Sequence, residues 1–390
     1  MPTNKRCWVV IAGGGTAGHV LPGLSVAAEI VRRGTSSRMV RWVGSRRGVE
    51  TRLVPEAGFR LSVLSGRGLQ RRLTFANVMA VFKLLGSFVQ AWRLLGRYRP
   101  AIMVGLGGYA SVACGMAAAV RRIPLIVMEQ NAVAGAANRL LSYLATCSAV
   151  AFPHTKIRGA RWVGNPVRSD ILEVDRTSGR SNARLALGVE DNRHLVVVFG
   201  GSLGARSINT AVAQAVSAEI ESSWRYRDDM HLIHISGHRE YTEVKAQVPD
   251  RRNSECKLVY DLLDYQDDMS TIYAAADLVI CRAGATTAAE LAATATPAVL
   301  VPLAGAPRDH QTANAQVLVN AGAAVMIPDS RLDGMELIAE VDSLLADEDI
   351  LRSMSHAAKK LEQPNAASDI ADLLEKYALR PRPGVTSQIS

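Results

Sequence analysis

Two stretches of this chain share one design: an apolar run, a pair of glycines, then a helix-like segment. The first is Cys7-Trp8-Val9-Val10-Ile11-Ala12 followed by Gly13-Gly14-Gly15-Thr16-Ala17-Gly18-His19; Pro22 and an apolar-periodic segment ending at Gly34 come next. The second is Leu195-Val196-Val197-Val198-Phe199 followed by Gly200-Gly201-Ser202-Leu203-Gly204-Ala205, with a helix expected from Ile208. Strand, glycine loop and helix leave backbone N–H groups free at the positive end of a helix dipole, which makes an anion site. Gly13-x-Gly15-x-x-Gly18 also matches the dinucleotide fingerprint.

Further strand signals alternate with helical ones. They are 38–44, 59–64, 101–105 and 125–128 in the first half, and 231–235, 278–281 and 298–301 in the second. This order predicts parallel sheets with right-handed crossovers. A chain of 390 residues exceeds a comfortable single core. The expected fold class is therefore α/β, two Rossmann-like domains facing a central cleft, with sites at the carboxyl ends of both sheets. Val163-Gly164-Asn165-Pro166-Val167-Arg168 marks the boundary, and the polar stretch from Glu173 to Asn192 reads as a linker. The expected plan is residues 1–168, residues 169–365, a helix at 366–378 packing back on the first domain, and a disordered tail at 379–390.

The net charge of +9 hides an asymmetry. Residues 1–165 carry 23 Lys and Arg against four acids, Glu29, Glu50, Glu56 and Glu129, a net of +19; the remainder is −10. Such a half predicts a polyanionic partner, either anionic lipid headgroups or nucleic acid. Segment 67–99 sharpens the choice. Arg67, Arg71 and Arg72 open it; Phe75, Met79, Phe82, Phe88 and Trp92 lie among its apolar residues; Arg93, Arg97 and Arg99 close it. The apolar set is too wide for one buried stripe, so a helix with exposed aromatics and a basic collar can sit on an anionic bilayer; the alternative is a buried core helix with basic ends. Segment 101–120 has no charge, but Pro100, Gly105, Gly107 and Gly108 make it a strand, a glycine turn and a buried helix rather than a transmembrane span. Five cysteines, odd in number and without C-x-x-C, argue for reduced thiols in a cytoplasm, and no signal peptide is read at the start.

A third helix start follows Cys281-Arg282-Ala283-Gly284-Ala285-Thr286-Thr287, with Glu290 one turn on. It suits a diphosphate on the helix N-terminus and a carboxylate on ribose hydroxyls, or it is a plain capped helix. The polar loop Pro302–Thr312 follows a strand, where sugar hydroxyls could be read.

Together these motifs resemble the MurG family of glycosyltransferases, over residues 8–375. The resemblance rests on Gly14–His19, Gly107-Gly108-Tyr109, Glu129-Gln130-Asn131, Val163–Arg168, Gly200–Ala205, Asp267-Asp268-Met269 and Cys281–Thr286, in order. It implies a GT-B enzyme moving N-acetylglucosamine from UDP-GlcNAc to undecaprenyl-linked lipid I, giving lipid II. By the same resemblance, Arg168, Ser202, Ala285, Thr286 and Thr287 face the donor diphosphate, Gln266 the uracil, Glu290 the ribose, and Gln311 and Asn131 the GlcNAc. Thr16, Ala17 and Gly18 close the cleft, while Gly14, Gly15, Gly108 and Tyr109 meet the acceptor. The implied partners are the anionic cytoplasmic membrane surface, with Arg71, Arg72, Phe75, Met79, Phe82, Phe88 and Trp92 in contact, and cell-wall synthesis proteins, not nucleic acid. The implied location is the cytoplasmic face of the cell membrane. Leu203, Met128, Thr312 and Ala17 depart from residues common in the family, which puts the polar contacts at Leu203 and Thr312 in doubt.

The implied reaction is an inverting displacement that needs a base and a stabilised leaving diphosphate. His19 is the first candidate base, with an unperturbed pKa of about 6.5; the alternative is a phosphate contact or a loop cap. Glu129, the only acid between residues 57 and 169, is the second; its alternative is an ion pair. No cofactor or metal is expected: Asp347-Glu348-Asp349 matches D-x-D but reads as a solvated loop. His310 lines the site; the other histidines read as structural. Three rivals remain from the residues alone. One is an NADP-dependent oxidoreductase using Arg46-Arg47, one a basic binding module, and one another UDP-sugar enzyme such as an epimerase.

Overall fold

A computed structural model describes residues 6–65, 76–201, 204–217, 223–248 and 258–383. The chain divides into two compact units, residues 1–168 with 363–390, and residues 169–362.

The first unit alternates strand and helix as its sequence pattern requires. In order come Val9–Gly13 (β1), Ala17–Arg32 (α1), Val40–Ser45 (β2), Glu50–Glu56 (α2), Arg60–Leu64 (β3), Ala76–Tyr98 (α3), Ile102–Gly107 (β4), Gly108–Val120 (α4), Leu125–Glu129 (β5), Ala136–Leu141 (α5), Cys147–Val150 (β6) and Ala160–Trp162 (β7). All pairs are parallel in the order β3-β2-β1-β4-β5-β6-β7, so the strand order reverses between β1 and β4. Both glycine loops of this unit leave the sheet at that switch point, where such folds bind ligands. The uncharged segment 101–120 is β4 and α4, and among the described residues no helix is long and apolar enough to cross a membrane.

Helix α1 begins at Ala17, before Pro22 rather than after it. Pro22 sits one turn inside, so the only bond it forgoes is to the Gly18 carbonyl in the first turn. Gly34, at φ 93, ends the helix as the sequence pattern expects.

The second unit runs through Ser169–Leu172 (α6), Arg180–Leu187 (α7), His194–Phe199 (β8), Arg206–Ala215 (α8), Met230–Ile235 (β9), Tyr241–Gln247 (α9), Val259–Leu263 (β10), Met269–Ala275 (α10), Leu278–Cys281 (β11), Ala285–Ala293 (α11), Ala298–Leu300 (β12), His310–Asn320 (α12), Ala324–Met326 (β13), Gly334–Leu345 (α13) and Glu348–Lys359 (α14). Its sheet, β10-β9-β8-β11-β12-β13, repeats the reversal between β8 and β11.

Three expectations need correction. Residues 173–192 are not a linker: α7 lies in this stretch, and Arg184, fully buried, pairs with Asp277 at 2.6 Å. A polar composition misreads as linker when its charge is neutralised inside. The tail is not free from 379. The Leu379 N–H donates to the Ala101 carbonyl, the Trp8 indole N–H to the Arg380 carbonyl, and Arg382 to the Arg33 carbonyl. Residues 384–390 lie outside the described residues. The D-x-D match is a helix cap, since the Asp347 carboxylate accepts from the Asp349 N–H at 2.8 Å and Asp349 pairs with Arg352.

The last helix, Ala366–Tyr377 (α15), belongs to the first unit. Its stripe of Ala366, Ile370, Leu373 and Leu374 is buried in the core under α1. Each fully buried aliphatic side chain contributes about 1.5–3 kcal/mol, and Arg33 adds ion pairs to Asp372 at 2.5 Å and Glu375 at 3.2 Å.

Three histidines of the second unit have partners within it. His231 pairs with Asp261 at 2.7 Å and His238 with Asp264 at 2.9 Å. His234 is fully buried between the Tyr260 hydroxyl and the Asn209 amide oxygen. Burial pushes its pKa down to about 4. Between about 6.5 and that value the unfolded chain binds a proton that the folded unit refuses, so stability falls as pH falls through this window and then levels. The two values span about 3 kcal/mol. Urea unfolding at pH 7.5 and pH 4.5 is expected to show a markedly smaller pH effect in His234→Gln than in the wild type.

Candidate active site

In the first unit the loop after β1 is held at each end. The Gly13 carbonyl accepts from the buried Trp42 indole N–H at 3.0 Å, and the Gly15 N–H donates to Glu50 Oε2 at 2.8 Å. Thr16 is the N-cap of α1, and its carbonyl accepts from the His19 and Val20 N–H groups, each at 3.2 Å. Its hydroxyl lies 3.0 Å from His19 Nδ1. When Nδ1–H donates to that hydroxyl, Nε2 carries the lone pair and can take a proton.

The loop after β4, at Gly107 and Gly108, lies against the loop after β1. A Cβ on Gly107 would sit 3.3 Å from His19 Cδ2 and Nε2, and Gly107 has φ 101. Both facts restrict the position to glycine. A Cβ on Gly108 would meet the Gly14 carbonyl at 3.4 Å. Thus Gly14, Gly15, Thr16, Ala17, Gly18, His19 and Gly108 form one surface, with Gly15, Thr16 and Gly108 exposed. The Tyr109 hydroxyl donates to Ser87 on α3 at 2.6 Å, tying that helix to the loop.

Glu129 is 2% exposed. Its carboxylate accepts from the Asn131 N–H and side-chain amide, the Gly135 N–H and the Asn138 amide, at 2.9–3.2 Å. Among the described residues the contacts of Glu129 are these amides. They hold the Asn131 loop in place. Asn138, which the sequence reading passed over, links Glu129 to the ground beneath His19: its amide nitrogen is 3.4 Å from the Cβ position of Gly107.

In the second unit the candidate residues follow the carboxyl ends of four strands of the sheet. Gly200 follows β8, Gln266 follows β10, Gly284 is the N-cap of α11 after β11, and Gln311 follows β12. Ser202 lies outside the described residues. Ala285, Thr286 and Thr287 begin α11, and the buried Thr286 hydroxyl has no partner among the described residues. Glu290 Oε2 accepts from the Tyr273 hydroxyl at 2.9 Å. Gln311 Oε1 accepts from the Leu303 N–H at 2.9 Å, which leaves its NH₂ to point elsewhere. The Thr312 hydroxyl donates to Asp309 at 2.7 Å. Arg168 ends the first unit.

Arg282 was legible only as part of a motif. Its guanidinium donates to Asp329 at 2.5 Å, to the Val301 carbonyl at 3.2 Å and to the Ser207 hydroxyl at 2.8 Å. Burial raises the Asp329 pKa, but the Ser207 hydroxyl and Arg282 outweigh it and hold the carboxyl below its usual range. The loops after β8, β11 and β12 are pinned by this one cluster.

Comparison with known proteins identifies the family and fold. Residues 9–150 match the glycosyltransferase family 28 N-terminal domain, and residues 195–372 the glycosyltransferase family 28 C-terminal domain. A protein of Alkalilimnicola ehrlichii is 41% identical over 93% of this chain and 97% of its own length. One of Myxococcus xanthus is 37% identical over 94% and 91%. Both are named UDP-N-acetylglucosamine–N-acetylmuramyl-(pentapeptide) pyrophosphoryl-undecaprenol N-acetylglucosamine transferase. The chain belongs to the MurG family. The crystal structure of Acinetobacter baumannii MurG superposes with a TM-score of 0.76 at 30% identity, covering 95% of this chain and 99% of that one. The MurG fold here is thus the GT-B type, built from two parallel α/β sheets of seven and six strands.

Of the residues expected to meet the membrane, Arg71, Arg72 and Phe75 lie outside the described residues, as do the side chains of Met79 and Phe82 on α3. Trp92 is 42% exposed, with the Arg121 guanidinium 4.4 Å over its ring. Leu85 and Val89 are exposed beside it. Phe88 differs from expectation: it turns inward against the core shared with Ala91 and Leu95, because it falls on the α3 face that packs on α4.

Proposed function

We propose that this chain transfers N-acetylglucosamine from UDP-GlcNAc to the C4 hydroxyl of MurNAc in undecaprenyl-pyrophosphoryl-MurNAc-pentapeptide, converting lipid I to lipid II with inversion. The observation that carries it is the 37–41% identity, over nearly the whole chain, to enzymes named for this reaction. The first-unit loops at Gly14–His19 and Gly108–Tyr109 take the acceptor's pyrophosphate and sugar, supported by exposed glycines at the switch point. His19 Nε2 removes the C4 proton, supported by the Thr16 contact that leaves it able to accept. The α11 N-terminus, with Thr286 and Thr287, and Arg168 carry the departing diphosphate by preorganised positive charge. Glu290 holds the ribose, Gln266 the uracil, and Gln311 and Asn131 the GlcNAc. The test is incubation with UDP-GlcNAc labelled in the sugar and a lipid I analogue. Label in a lipid-linked disaccharide, with UDP released, is expected; hydrolysis without transfer would leave only donor binding.

The membrane part of this reading rests on α3. Exposed Leu85, Val89 and Trp92, with Arg93, Arg97 and the neighbouring Arg121, form an apolar face with a basic collar. Each basic residue near an anionic leaflet adds about 1 kcal/mol. Cosedimentation with vesicles rich in phosphatidylglycerol is expected to fall with added salt and to drop several-fold in Val89→Asp/Trp92→Ala. Unchanged binding of that variant would remove α3 as the docking face.

A further inference from the structure

The carboxylate of Glu50 lies beneath the first glycine loop, fully buried, with no part in the chemistry described above. Its Oε2 accepts from the Gly15 N–H at 2.8 Å, and its Oε1 from the Ser45 N–H and hydroxyl, each at 2.8 Å. Three glycines make room for it. A Cβ on Gly14 or on Gly48 would overlap the carboxyl, and one on Gly44 would lie 2.6 Å from Cγ. Glu50 has no ion pair among the described residues; such a buried carboxylate is costly unless its oxygens are satisfied, and it is retained where it fixes a geometry that a neutral side chain cannot. Here the geometry is that of the loop: Gly15 is exposed, has φ 97, and directly precedes Thr16, the N-cap that contacts His19.

We infer that Glu50 is a positioning residue for the transfer reaction, reaching from the start of α2 to fix Gly15 and through it the Thr16–His19 pair. Trp42 holds the Gly13 carbonyl from the same side, so the β2–α2 segment grips the loop at two backbone atoms, one donor and one acceptor. This rests on the proposed roles of Thr16 and His19. It adds that the loop is not shaped by its own glycines alone: Gly14 is needed as much to admit Glu50 as to approach a phosphate.

Glu50→Gln separates the two halves of the contact. A glutamine oxygen can still accept from the Ser45 N–H and hydroxyl, but its NH₂ group must then face the Gly15 N–H, donor against donor. In the full-length protein, kcat for transfer to a lipid I analogue is expected to fall about 10- to 100-fold, with KM for UDP-GlcNAc and the near-ultraviolet circular dichroism of the buried tryptophans unchanged. Amide exchange of Gly15 in the wild type, which needs no variant to fold, is expected to be slow despite the exposure of that residue. Glu50→Gln turnover within twofold of wild type, or rapid exchange at Gly15, would overturn the proposal. His19→Ala run in parallel separates the two readings. If it too turns over normally, the assignment of the loop to catalysis has failed; if it is inactive while Glu50→Gln is not, only the positioning role has failed.

Discussion

Replacing His19 by alanine is expected to lower kcat for GlcNAc transfer by roughly 10²- to 10⁴-fold, the usual contribution of a positioned general base. The expectation follows from where the ring is held. Its Nδ1 faces the Thr16 hydroxyl at 3.0 Å, and its Nε2 edge lies over Gly107, a position where a side chain would intrude. Two variants separate proton removal from a phosphate contact. His19→Gln keeps a hydrogen-bonding group of similar reach but is not basic, so it should be nearly as inactive as alanine; recovery of most of the turnover would assign His19 to the phosphate instead. Thr16→Val leaves the ring and removes only the group that orders its tautomer, so a smaller loss in kcat is expected. UDP binding, which we propose for the second unit, should be unchanged in all three by isothermal titration. Near-normal turnover in His19→Ala would exclude His19 as the base.

The sheets and their switch points were legible because a buried parallel strand writes itself as a short apolar run and the following glycines mark where the chain leaves it. Leu125–Met128 and Leu195–Phe199 fall wholly in strands, and Cys7–Ala12 overlaps β1, which begins at Val9. Strands that break this rule were missed. Val259–Leu263 carries Asp261 and is only partly buried, and Ala160–Trp162 is exposed at the sheet edge. Helix α7 was lost for a related reason. Arg184 counts as polar in a sequence, yet it is buried because Asp277, 93 residues away, neutralises it.

The candidate residues were legible where they sit in glycine loops, and their supports were not. Glu50, Trp42, Asn138, Tyr273 and Arg282 act through partners remote in sequence, such as Glu129, 9 residues from Asn138, and Ser207, 75 residues from Arg282. A faint signal existed for Glu50: it is one of four acids in a half-chain of +19, and Gly44 and Gly48 stand just before it. Spacing alone cannot tell such an acid from a surface one, because the information is in what it fills.

Glu290→Ala is expected to raise KM for UDP-GlcNAc by about 10- to 100-fold, since a hydrogen bond to a charged group is worth roughly 1.5–3 kcal/mol, with a smaller change in kcat. The carboxylate stands one turn beyond the N-terminal residues Thr286 and Thr287 of α11, and the fully buried Tyr273 donates to its Oε2 at 2.9 Å, which fixes the direction of the side chain. Tyr273→Phe keeps the packing and drops that one contact, so a loss of only a few-fold is expected. The decisive comparison uses 2′,3′-dideoxy-UDP. If Glu290 grips the ribose, the wild type binds this analogue about as weakly as Glu290→Ala binds UDP, and the variant no longer tells the two nucleotides apart. That is the pattern of a double-mutant cycle in which protein and ligand each lose one side of the same bond. A Glu290→Ala protein that still prefers UDP by the wild-type ratio would place the ribose contact elsewhere and leave Glu290 with the packing of Tyr273 alone.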